Sequence, residues 1–267
     1  MHPFTVQHPT TETFPDLVAL VPDPGEAAKR SNVLSEQIAA GQLKLEQFLI
    51  LRSGRGVEGL AMVNDLAQVP IFPHLRADTP DEAITTLAQA LQKQAHPGQQ
   101  LILTDAFAPL NSEPMTAAGW LLDGQHAVYE TDLRARSYPV DTQAQIVNAD
   151  RPDIRALMAQ LGQGDWEGSE DWTLIALTGA DGRPVALCAV GPGGRPDTAN
   201  LNMIGVLSQA RGQGLGTRLH AHVLALAAQK FARHNGGTEV DNVAMRRIFE
   251  KHGSRLMATQ MYFKLKS

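Results

Sequence analysis

Met203-Ile204-Gly205-Val206-Leu207-Ser208-Gln209-Ala210-Arg211-Gly212-Gln213-Gly214-Leu215-Gly216-Thr217-Arg218-Leu219 is the stretch on which the reading of this chain turns. An apolar strand leads into three alternate glycines, Gly212, Gly214 and Gly216, and an amphipathic helix leaves them. Glycines let the backbone turn tightly and bring its N–H groups against a bulky anion without Cβ interference. The helix start adds unpaired donors and the positive end of a dipole. A phosphate or pyrophosphate site is expected here, with Arg211 adding charge. A dinucleotide fingerprint would need a third glycine where Thr217 stands, and a P-loop would need a Lys that does not follow these glycines.

Working outward, the C-terminal half predicts a helix from Asp150 as cap through Ile154, Leu157, Met158 and Leu161. A hairpin follows, Trp172–Leu177 and Val185–Val190 about the turn Gly179–Gly182, then a strand over Asn200–Leu207. A long helix is expected from Gly214 to His234, a shorter one from Asn242 to His252, and a strand pair from Leu256 to Leu265. The N-terminal half repeats the order: a helix near Glu26–Ala40, a hairpin of Phe48–Leu51 and Val57–Val63, a helix carrying Ile84, Leu87, Ala88 and Leu91, then Leu101-Ile102-Leu103. Gly119-Trp120 and Tyr129 recur as Gly253-Ser254 and Tyr262, 134 and 133 residues on. An internal duplication is expected, joined near Arg134–Asp141.

Composition bounds the function. With 267 residues and 43% hydrophobic side chains the chain can bury one large core or two modest ones. Nothing approaches the roughly 18 consecutive apolar residues of a membrane span. Met1 to Pro15 is polar and Pro/Thr-rich, so no signal peptide is expected. A net charge of −5 argues against sequence-independent nucleic-acid binding. One cysteine, Cys188, permits neither an internal disulfide nor a multi-cysteine metal site, and it is expected to be buried and inert. His220 and His222, two apart on a helix, make a poor metal pair and are expected at the surface. A soluble, cytoplasmic, mixed α/β protein with no metal and no membrane or nucleic-acid partner is expected, its oligomeric state open.

Arg211-x-x-Gly214-x-Gly216 resembles the [QR]-x-x-G-x-[GA] loop of the GNAT superfamily of acyl-CoA N-acyltransferases. Asn242-x-x-Met245-x-x-x-Phe249-x-Lys251-x-Gly253 resembles that family's next motif, and the element order is similar. The resemblance implies an α/β (α+β) fold of two tandem GNAT-like domains, each a mixed, mostly antiparallel sheet flanked by helices. Residues 1–135 would be a degenerate domain lacking the phosphate loop, and 136–267 the acetyl-CoA-binding domain. It further implies that acetyl-CoA is the acyl donor and a small-molecule or peptide amine the acceptor. Backbone groups of Ile204 and Val206 would meet the thioester and pantetheine, and N–H groups of Arg211, Gly212, Gln213, Gly214, Gly216 and Thr217 the pyrophosphate. Asn242 would brace the strands or the pantetheine, and Arg246, Arg247 or Lys251 could reach the 3′-phosphate.

Two departures leave the catalytic residues unassigned. Phe249 stands where family members often carry a Tyr acid, and the strand offers Asn200 and Asn202 where they often carry a Glu base. Asp241, Glu239 and His234 are the remaining routes for a proton through water. For the acceptor, Asp165, Trp166 and Glu170 in the acidic segment Asp165–Trp172 could hold a cationic amine by charge and cation–π contact. The position equivalent to Arg211 in the first half falls near Asp78, where Thr79 reads as a helix cap and Asp78, Asp81 and Glu82 would repel a pyrophosphate. One cofactor per chain is expected. A non-catalytic acyl-CoA-binding or regulatory module is the alternative to an N-acetyltransferase.

Overall fold

The computed structural model describes residues 4–266 except 165, 167 and 169. The chain forms two compact units, Met1–His126 with Ala258–Ser267, and Ala127–Met257. This differs from a single cut at 135/136. The reason lies in the last strand of each repeat, described below.

Among the described residues of the first repeat, nine strands and α-helices run in the order β1 (Thr5–Gln7), α1 (Pro24–Ala39), β2 (Phe48–Ser53), β3 (Gly56–Met62), β4 (His74–Leu75), α2 (Asp81–Gln94), β5 (Leu101–Thr104), α3 (Glu113–Ala117) and β6 (Trp120–Asp132). The second repeats the order: β7 (Ala144–Ile146), α4 (Pro152–Gln160), β8 (Thr173–Thr178), β9 (Pro184–Pro192), β10 (Thr198–Val206), α5 (Leu215–Ala227), β11 (Arg233–Glu239), α6 (Val243–Lys251) and β12 (Arg255–Leu265). Gly119 and Gly253, the landmarks before β6 and β12, both take positive φ, +93° and +79°. The fold is mixed α/β, with mostly antiparallel strands.

In the first unit β1-β2-β3-β4 form an antiparallel sheet. Ile71, just before β4, bridges Leu101 of β5 in parallel. Gln260–Phe263 of β12 pair antiparallel with Thr104–Leu101 of β5, which is why the chain's last residues belong to this unit. In the second unit β7-β8-β9-β10 run antiparallel, β11 joins β10 in parallel, and β6 lies beside β11.

The continuous apolar runs of β8 and β9 follow from burial on both faces. Ile175, Leu177, Ala186 and Cys188 pack with Leu215, Leu219 and Val223 of α5, while the alternate residues Leu174, Ala176, Leu187 and Ala189 pack with Ile154, Leu157 and Met158 of α4. Cys188 is fully buried, and burial pushes its thiol up. Truncating fully buried Leu219 to Ala would cost about 2–5 kcal/mol.

Several boundaries differ from the sequence expectation. α5 ends at Ala227 rather than near His234, because Asp197 accepts from Ala232 N at 2.8 Å through its side chain and seats the start of β11 beside β10. β12 is one continuous strand, not a pair. Arg151, not Asp150, occupies the cap position of α4, and no side chain caps it. No helix among the described residues is long and apolar enough to cross a membrane.

Candidate functional site

β10 sets the site. Thr198–Leu201 pair in parallel with Arg233–Gly236, and Met203–Val206 continue antiparallel against Ala189–Ala186 of β9. The register slips between Leu201 and Met203, leaving Asn202 as an extra residue that bends the strand. Past that point β11 no longer accompanies β10. One edge of β10 up to Val206 therefore keeps backbone donors and acceptors without a strand neighbour.

Beyond Val206 the chain makes one short turn, and Gly212 and Gly214 then take φ of +78° and +75°, a region that L side chains rarely adopt. Gly214 is the residue that caps α5, and no side chain bonds to that helix start. The first-turn N–H groups are free for an outside acceptor, with the helix dipole behind them. A cavity of about 630 Å³ lies against them. Ile204, Val206, Arg211, Gly212, Gly214, Gly216, Thr217 and Asn242 all line it; Gln213 does not, and is exposed. Asn242 Oδ1 accepts from Met245 N at 3.1 Å and caps α6, so only its Nδ2 remains for anything in the cavity.

The cations divide between the cavity and the protein. Arg211 Nε donates to Val206 O at 3.1 Å, and Arg247 and Lys251 reach the cavity from α6. Arg218, which the sequence places beside the anion loop, is turned away: its Nε and Nη2 donate to Asp141 at 2.7 and 3.1 Å. Those bonds hold the Asp141 carboxyl below its usual range despite burial. Arg246 donates to Tyr129 Oη at 3.3 Å and Val240 O at 2.9 Å.

A second cavity of about 200 Å³ shares Ile204, Gly205, Asn242 and Met245 with the first. Leu161, Gln163, Asn202 and Thr238 complete its character. Sequence reasoning missed Gln163 and Thr238, because neither residue type nor spacing marks them; only the parting of β10 from β11 brings them together. Of the residues expected to meet the acceptor, Asp165 lies outside the described residues. Trp166 is half-buried against the α4 side of the core and Glu170 is exposed, and neither lines this cavity.

Other placements correct the sequence reading. Phe249 lines neither cavity; it is fully buried and stacked on Tyr129, with ring centroids 4.7 Å apart. His220 and His222 are buried, not surface residues, because α5 has apolar or protein neighbours on more than one face. His222 Nδ1 accepts from Asp141 N at 3.0 Å. His234 is fully buried and burial pushes it down to about 4, so it is a neutral core residue. Glu239 and Asp241 are exposed. Among the described residues no group of three or more His, Cys, Asp or Glu is placed to hold a metal.

The corresponding place in the first unit is built differently. Thr79 does not cap α2; its hydroxyl donates to Glu58 O at 3.0 Å, and Pro80 takes the cap position. Arg55 donates to buried Glu58 at 3.0 and 2.9 Å and to Asp78 at 2.9 Å, and Arg76 donates to Asp78 at 3.2 Å. Burial would raise Glu58, but the bonds from Ser53 and Arg55 outweigh it and hold the carboxyl low. Carboxylates and their own arginines thus occupy the ground that glycines leave open in the second unit.

The model of the acetyltransferase (GNAT) family matches residues 133–254, which contain the glycine loop, the free strand edge and both cavities. Residues 133–254 are a GNAT domain. A GNAT-type acyltransferase is what this match supports. No curated protein sequence matches the chain. Among solved structures, a GCN5-related N-acetyltransferase from Sphaerobacter thermophilus is similar at 14% identity and a TM-score of 0.55, covering 98% of this chain and 95% of that one. A GNAT-family protein from Novosphingobium aromaticivorans gives 19% identity and 0.51, over 78% and 89%. A GCN5-related N-acetyltransferase from Kribbella flavida gives 14% and 0.51, over 78% and 87%. At these identities the likeness is one of fold. With the Sphaerobacter protein it extends over the first repeat, which the family model leaves out.

Proposed function

We propose that the chain is an N-acetyltransferase that moves an acetyl group from acetyl-CoA to a primary amine, binding one donor per chain at the GNAT domain. The observation that carries this reading is the junction, in one cavity, of an uncapped helix start with a strand edge that has no neighbour. The pyrophosphate suits the N–H groups from Arg211 to Thr217, and the extended pantetheine suits the edge of β10 as an added strand. Arg247 and Lys251 supply charge for the remaining phosphate. A backbone N–H near Ile204–Val206 would stabilise the oxyanion as the amine attacks.

The first unit takes no part in donor binding, because it has no glycine loop and the ion pairs of Arg55 and Arg76 with Asp78 stand in its place. Isothermal titration with acetyl-CoA tests this, with one site per chain expected and two equivalent sites overturning it. A non-catalytic acyl-CoA-binding module is the second reading, favoured by one observation: among the described residues lining the two cavities there is no carboxylate, histidine or tyrosine. Single-turnover acetylation of an amine panel separates the two. Thiol release that depends on amine supports transfer; tight donor binding without it supports the module.

A further inference from the structure

The first unit holds a cavity of its own, of about 870 Å³, larger than either cavity of the GNAT domain. It opens past the carboxyl ends of β4 and β5, which the parallel bridge between Ile71 and Leu101 sets side by side. The mouth of parallel strands is where α/β folds commonly receive ligands. Leu75 N donates to Phe107 O at 2.8 Å and seats the turn after β5 against β4. Phe107 thereby stacks on His74, with ring centroids 4.3 Å apart and planes 8° from parallel. Phe107 still keeps 45% of its surface exposed, and Leu20, Val21, Pro109 and Leu110 line the same cavity. Burial, aided by the nearby Arg30, holds His74 below its ordinary range, so the stack is uncharged near neutral pH.

The charges lining this cavity do not cancel. Arg30 pairs with Glu26 at 3.0 Å. Arg76 and Arg55 close a four-charge cluster with Glu58 and Asp78. Among the described residues, two lining carboxylates are left with backbone partners only: Asp105 accepts from Thr259 N at 3.0 Å, and Asp23 from Glu26 N at 2.7 Å. Asp23 sits at the positive end of α1, which offsets part of its charge, so Asp105 carries most of the uncompensated negative charge. An aromatic ammonium meets Asp105 with its charge and an uncovered ring with its own ring. We propose that the first unit is a binding site for a cationic aromatic amine, its ring packed on Phe107 and the apolar wall and its ammonium held by Asp105 and Asp23. The repeat without a glycine loop thus holds an amine and no donor, and the site stands whether or not the GNAT domain transfers an acyl group.

Isothermal titration of the full chain with phenethylamine, an alkylamine protonated at neutral pH, tests this at low salt and without acetyl-CoA. One site per chain with a Kd of about 0.1–1 mM is expected. Phenylacetate has the same ring and the opposite charge, and butylamine has the charge without the ring. Each should bind at least about tenfold more weakly. Asp105→Asn keeps an oxygen for Thr259 N and should weaken the amine about threefold to fivefold, and Asp23→Asn, which still caps α1, about twofold. Phe107→Leu should weaken it about threefold to tenfold. Gln163→Ala in the GNAT domain should leave the affinity as it was. Thermal midpoints show which variants keep the fold, and the two Asp→Asn variants decide the matter if Phe107→Leu does not. Phenylacetate binding as tightly as phenethylamine, no phenethylamine binding below about 10 mM, or an affinity that Asp105→Asn leaves unchanged would overturn the proposal.

Discussion

His220 and His252 share one hydrogen bond, Nδ1 to Nδ1 at 2.7 Å. One ring must donate and the other accept, so both cannot be protonated while that bond stands. His220 also meets the edges of His234 and Phe249, with centroids 5.6 and 5.0 Å away. Three imidazoles thus tie α5, β11 and the end of α6, the elements that carry the site, through buried contacts that require neutral rings.

Stability should consequently fall with acid. Burial lowers all three, His220 well below its ordinary range and His234 to about 4. The unfolded chain binds these protons near pH 6.5, so it gains protons relative to the folded state as pH drops from about 6.5 toward 4. For His234 alone the loss approaches about 3 kcal/mol at the bottom of that window. Urea unfolding at a series of pH values checks this, and a midpoint unchanged between neutral and about pH 4.5 would refute it.

Gly214 is held at φ +75° at the head of α5. Gly214→Ala should cost about 1–2 kcal/mol of stability. The donor should suffer more, with acetyl-CoA affinity falling at least about tenfold because the N–H groups lose their aim. Calorimetry read beside the thermal midpoint distinguishes the two effects.

Two arginines of similar sequence standing should behave oppositely. Arg247→Ala removes a cation from the donor cavity and should weaken acetyl-CoA by about threefold to tenfold, less so at high salt. Arg218→Ala breaks the pair with Asp141 and should leave donor affinity within about twofold while lowering stability by about 1 kcal/mol. Equal effects of both substitutions on affinity would contradict this division of charge.

For the acceptor, if the acidic segment that follows Gln163 in the sequence draws cationic amines, Asp165→Asn with Glu170→Gln should raise KM about threefold at low salt with kcat unchanged. An unchanged KM would remove that role.

Much of the glycine loop was legible in the chain. Gly212 and Gly214 announce their backbone conformation by lacking a Cβ, and the apolar alternation around Val206 and Leu219 announces strand and helix on either side. The smaller cavity was not legible. Trp166 and Glu170 stood out by composition, but the cavity is lined by Gln163 and Thr238, residues 75 apart that meet only because Asn202 bulges and β11 leaves β10. Nor could the histidines be read: a two-residue spacing on a helix suggested solvent, whereas the ring partners of His220 come from β11 and the end of α6.

By itself, then, the sequence determined the features that depend on neighbouring residues: the glycine loop, the helix it starts, the repeated order of elements and the acids that replace the loop in the first half. Tertiary structure decided which of Arg211, Arg218, Arg246, Arg247 and Lys251 face the cavity, and that β12 from Ala258 on belongs to the first unit and β6 from Ala127 on to the second. The physical reason is range. Backbone conformation is set within a few residues, whereas the partner of a charge, the burial of an imidazole and the neighbour of a strand edge are set by chain segments that only folding brings together.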